Sequence, residues 1–110
     1  MYDYVRETEH FLGNLYESEI CQKYFEQKER MKQYPELKVQ IDEFRKRNYK
    51  LQNEADSATL FDEIDRFERE YEEFRENPLV SQYLEAELAF CRMYQEISNM
   101  VNIAFAVEVD

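Results

Sequence analysis

Asn77-Pro78-Leu79-Val80-Ser81-Gln82-Tyr83-Leu84-Glu85-Ala86-Glu87 opens a stretch that runs to Ala106 without another Gly or Pro. Asn accepts hydrogen bonds from the free amides of a first helical turn. Pro suits the first helical position, where its missing N–H is not needed. Apolar residues then recur at Leu79, Tyr83, Ala86, Phe90, Met93, Ile97, Met100 and Ala104, in steps of four and three, which is a helical seam. A second row lies beside it: Val80, Leu84, Cys91, Tyr94, Val101 and Phe105. Gln82, Glu85, Arg92, Glu96 and Asn99 fall opposite. The apolar arc covers about half the circumference, wider than a coiled-coil stripe. At 1.5 Å per residue the predicted helix is about 42 Å long. A compact chain of this size has a radius of gyration of only about 13 Å. A helix longer than its own domain and apolar on two rows predicts a dimer built on it. Tyr83, Ala86, Glu87, Phe90, Met93, Tyr94, Ile97, Met100, Val101 and Phe105 are its candidate interface residues.

Working outward, composition sets the limits. The 110 residues suffice for one domain, read as spanning 1–110, with a modest core. With one Gly, two Pro, 44% hydrophobic and 35% charged residues, the chain reads as helical rather than disordered. A net charge of −11 argues against nucleic acid or an anionic membrane as partner, because both would repel it. Arg6, Glu7 and Glu9 interrupt any signal-peptide run, and no stretch approaches the roughly 20 apolar residues that span a bilayer. Cys21 and Cys91 are too far apart in sequence to suggest a disulfide framework. The expected compartment is the cytoplasm.

The rest of the chain predicts four shorter helices, giving an all-α bundle of about five. Residues 2–16 place Tyr4, Thr8, Phe11 and Leu15 on one line, with Val5, Leu12 and Tyr16 beside it. Gly13 sits inside this helix, for close packing or at a frayed end. Ser18 caps a second helix whose inner face is Ile20, Cys21, Tyr24, Phe25 and Met31. Tyr34-Pro35 closes it and opens a third, over residues 35–54. Leu37, Ile41, Phe44 and Leu51 form its seam, where Asn48 either fixes register or lies at an exposed edge. Asp56 or Ser57 caps a fourth helix over 58–76, with Leu60, Ile64, Phe67, Tyr71 and Phe74 as its seam. Short links imply antiparallel neighbours.

Few residues suggest chemistry. His10 follows Glu7 by three, a spacing used in di-iron bundles, but those need a second such pair and this chain has one His. Cys21 and Cys91 lie on apolar faces and read as small core hydrophobes; neither has the close Cys neighbour of a zinc or iron–sulfur site. No metal and no cofactor is expected. Arg45, Lys46, Arg47 and Lys50 form the one basic cluster. Asp42 precedes Lys46 by four and Glu43 precedes Arg47 by four, the favourable order for helical ion pairs; a docking spot for an acidic partner is the other reading. Glu87 interrupts the apolar face of the last helix. It needs a Tyr or Arg partner there, or it serves as a specificity contact in an interface.

Ser18-Glu19-Ile20-Cys21-Gln22-Lys23-Tyr24, Pro35-Glu36 opening a helix through Ile41 to Phe44, and above all the Asn-Pro-x-Val-x-x-Tyr-x-x-Ala-Glu run of residues 77–87 resemble the YlbF/YmcA family of small bacterial regulators. The likeness extends from about Tyr4 to Phe105. It implies an all-helical fold with a long C-terminal helix, and dimers or mixed oligomers. It further implies roles in competence, biofilm formation and sporulation, in some members through a complex of sister proteins that modulates an mRNA-processing endoribonuclease. No catalytic activity is implied. Some members carry C-terminal cysteines linked to iron–sulfur binding; Ala106-Val107-Glu108-Val109-Asp110 holds none. Tyr34 stands where Asn or Asp is common before Pro, and the link to the fourth helix lacks the usual Gly. The expected function is therefore a non-enzymatic regulatory adaptor working through helix-mediated protein contacts. The alternatives are a carboxylate-bridged metal-binding bundle and a purely structural helical dimer.

Overall fold

A computed structural model describes residues 1–54 and 58–106. Among these there are six helices and no strand: α1 (Tyr4–Glu17), α2 (Glu19–Met31), α3 (Pro35–Glu54), α4 (Leu60–Glu70), α5 (Glu72–Glu76) and α6 (Pro78–Ala104). The fold is all-α, as the periodicity requires. The expected cap at Asp56 or Ser57 lies outside the described residues.

Local chemistry accounts for most boundaries. The Asp3 carboxylate accepts from the Arg6 amide at 3.0 Å and starts α1 two residues later than the sequence suggested. The Ser18 hydroxyl accepts from the Cys21 amide at 3.3 Å and also donates to the Leu15 carbonyl at 2.6 Å, closing α1 and opening α2. Asn77 caps α6, its side-chain oxygen accepting from the Leu79 amide at 3.0 Å. At the other end Ala106 takes the left-handed conformation with φ of 50°, a common way for a helix to stop.

The predicted fourth helix is two. Tyr71, with φ of −105° and ψ of 11°, separates α4 from α5. Tertiary contacts converge on this residue. The Tyr71 ring packs against Phe44, Phe67 and Phe74, at centroid distances of 5.2, 5.0 and 5.6 Å. Its hydroxyl accepts from Arg47 at 3.0 Å.

The chain divides into two compact units. One comprises Glu29–Gln82. Met31, Ile41, Phe67 and Val80 are buried in it. Phe44 is ringed by aromatics, 5.4 Å from Phe67 and 5.6 Å from Phe74. Arg47 closes this cluster. It donates to both carboxylate oxygens of Glu70, one at 2.8 Å, and lies over the rings of Phe67 and Tyr71. This corrects the expected Glu43–Arg47 pair: a bidentate bond plus stacking outweighs a water-screened pair along one helix. Asp42 likewise pairs backwards with Lys38, at 2.7 Å, rather than with Lys46. The bond from Arg47 holds the Glu70 carboxyl below the ordinary range. Asn48 is half-buried and accepts from Gln52 at 3.4 Å.

The other unit comprises Met1–Lys28 and Tyr83–Asp110. Cys21, Tyr83 and Ala86 are its buried residues. Tyr24 stacks on Phe90 at 4.3 Å, and Tyr16 meets Phe25 at 4.9 Å. None of the residues of α1 is buried.

Candidate functional site

The second unit carries an apolar groove of about 340 Å³. Phe11, Leu12, Leu15 and Tyr16 of α1 form one wall. Cys21 and Phe25 of α2 contribute beneath, and Phe90, Met93, Tyr94, Ile97 and Ser98 of α6 supply the other side. Helical spacing places them. Residues 11, 12, 15 and 16 share one face of α1, and 90, 93, 94 and 97 share one face of α6. Polar atoms in the lining are limited to the Ser98 and Tyr hydroxyls and a thiol. The flanking sequence is equally uncharged: residues 11–16 carry no charge and residues 93–106 only Glu96. On a chain with net charge −11 this is a neutral island.

The candidate interface residues fall into three groups. Tyr83 and Ala86 are buried in the chain's own core, which removes them from any surface. Phe90, Met93 and Ile97 are half-buried in the groove. Tyr94, Met100, Val101 and Phe105 are exposed. Glu87 is half-buried and partnered within the chain. The α1 wall was the part of the site the α6 pattern alone did not reveal. Its signal was the Phe11–Leu15 and Leu12–Tyr16 pairing, which read as an ordinary core stripe.

Other expectations resolve plainly. Cys21 is buried, but Cys91 is exposed and is not a core residue. His10 is exposed. Gly13 is not a close-packing site, since a Cβ there would meet nothing within 4 Å. Among the described residues, no group of three or more His, Cys, Asp and Glu could hold a metal ion, and no helix is long and apolar enough to cross a membrane.

The fold and the groove define a small all-α protein whose distinctive surface is apolar. Residues 5–104 match the model of the family described as Control of competence regulator ComK, YlbF/YmcA. The chain belongs to the YlbF/YmcA family, and its role is regulatory in that family's sense. Comparison with curated proteins and with solved structures gave no match.

Proposed function

We propose that the chain is a non-enzymatic regulatory adaptor that acts by offering the apolar face of α6 to other proteins. The observation that carries this reading is the row Tyr94, Met100, Val101 and Phe105, exposed on the helix that also lines the groove. Contiguous apolar surface of this kind marks interaction sites on soluble proteins. The family's description as a control of a competence regulator supports the same reading. Its partners in the cytoplasm are sister-family chains and an mRNA-processing endoribonuclease complex, through which it influences competence, biofilm formation and sporulation. It also pairs with itself. Glu87, half-buried close to the groove-lining residues along α6, contributes to partner choice, because a partner that buries it must leave its interaction within the chain intact or replace it. Calorimetric titration of the purified chain against a purified sister-family protein, and then against the endoribonuclease, tests the reading. Association is expected, weakened at least tenfold by Tyr94→Asp. No association with either protein overturns it.

A further inference from the structure

We infer that the groove receives an amphipathic helix of another protein, one whose apolar stripe is flanked by Lys and Arg. This rests on the reading of α6 as an interaction helix and adds the chemistry of the partner. Size sets the first requirement. Apolar space of about 150 Å³ accepts one benzene ring, so the groove, at about 340 Å³, takes two or three large side chains. Its α6 side, from Phe90 to Ser98, rises about 12 Å. Apolar side chains at i, i+4 and i+7 of a helix span about 10.5 Å, and such anchors are how a helix seats in a groove. A stripe of that length matches this one. An extended segment would bring unpaired backbone amides against a lining whose only polar atoms are a few hydroxyls and a thiol.

Charge sets the second requirement. The unit that holds the groove has eleven Asp and Glu against four Lys and Arg, a net −7 of the chain's −11. The lining itself carries no charge, and carboxylates stand at its margins. Glu7 lies four residues before Phe11 and Glu9 three before Leu12, so both neighbour the α1 wall on the helix surface, and both are exposed. Glu87, three residues before Phe90 on α6, is half-buried and already partnered within the chain. The cations of the unit are engaged or turned away. Lys23 pairs with Glu19 at 3.0 Å, and Lys28 lies over the Tyr24 ring, 5.2 Å from its centroid. Helical spacing puts Arg6 and Arg92 on the sides of α1 and α6 opposite the groove residues. An uncharged groove with acidic margins favours a helix that is apolar along its middle and basic along its edges, and it disfavours an acidic one.

Fluorescence anisotropy with three synthetic helical peptides of about fourteen residues tests the inference. All three carry Leu at i, i+4 and i+7. The flanking positions are Lys in the first, Gln in the second and Glu in the third. The Lys peptide is expected to bind the full chain about tenfold more tightly than the Gln peptide, with the Glu peptide weakest. Raising the salt to about 0.5 M should narrow that gap, because screening shortens the reach of surface charge. Leu12→Gln with Tyr94→Gln changes two exposed side chains and no charge. Helicity by circular dichroism should be kept, while the Lys peptide binds about tenfold more weakly. Val39→Gln with Tyr49→Gln, exposed in the other unit, should weaken nothing. Glu7→Gln with Glu9→Gln should weaken the Lys peptide by about threefold and leave the Gln peptide as it was. Equal affinity for the three peptides overturns the inference. So does a Lys peptide indifferent to the Leu12 and Tyr94 changes, since charge alone would then hold it. A groove that admits none of the three also overturns it, and the occupant is then something else, such as a second copy. The sister-protein titration above reads separately: association there without peptide preference here keeps the adaptor reading and removes the basic helix.

Discussion

The unit Glu29–Gln82 and the unit formed by Met1–Lys28 with Tyr83–Asp110 are built from the same kind of amphipathic helix, yet they use their apolar faces differently. In the first, Phe44, Phe67, Tyr71 and Phe74 turn toward one another, and Arg47 lies over the cluster bound to Glu70. This aromatic cluster is satisfied within its own unit, although Val39, Tyr49 and Phe61 of the same unit are exposed. In the second, α1 buries none of its residues, and the groove beside it is open. The lesson is one of stoichiometry. Two partners across a helix face close it; one partner leaves an open wall.

The sharpest break in that comparison is a matched pair of truncations. Ile41 is fully buried in the closed unit, whereas Leu12 is half-exposed on α1. Ile41→Ala should destabilise the chain by about 2–5 kcal/mol, since it removes buried methyl groups and leaves a cavity. Leu12→Ala should stay within about 1 kcal/mol. Thermal melts at low concentration compare them. Equal losses would mean that α1 is as firmly packed as the core of the other unit.

Gly13→Ala sharpens the same contrast with the opposite sign. A Cβ at Gly13 meets nothing within 4 Å. The substitution should therefore stabilise α1 by up to about 1 kcal/mol through helix propensity alone. A loss of stability would reveal a close neighbour at that position, such as a partner chain.

The smallest effect concerns the Arg47 clasp. Bonding from Arg47 lowers the Glu70 carboxyl below its ordinary range, so this pair stabilises the folded chain above the carboxylate's unfolded value. That contribution is lost as pH falls through the lowered folded value. Melting points of the wild type and Arg47→Met should differ by a small amount at pH 7, because the pair is about half exposed. The difference should shrink below about pH 4. A gap that is unchanged at acid pH would assign the effect of Arg47 to its stacking on Phe67 and Tyr71 instead.

The sequence by itself determined that the chain is helical and placed the caps at Ser18 and Asn77. Asn77-Pro78, Ser18 and Pro35 act on backbone amides within a turn or two, so their meaning is local and survives any packing. The period of apolar residues fixed which side of each helix avoids water. The match of residues 77–87 to the family pattern was legible for the same reason, since it lies in one continuous run. Tertiary structure decided how each apolar face was used. Tyr83 and Cys91 both lie on the apolar arc of α6, yet one is buried and the other exposed. The choice of Glu70 over Glu43 as partner for Arg47 is of the same kind. It depends on groups more than twenty residues apart in the chain meeting in space. Periodicity records that a residue avoids water; it does not record which neighbour provides the shelter.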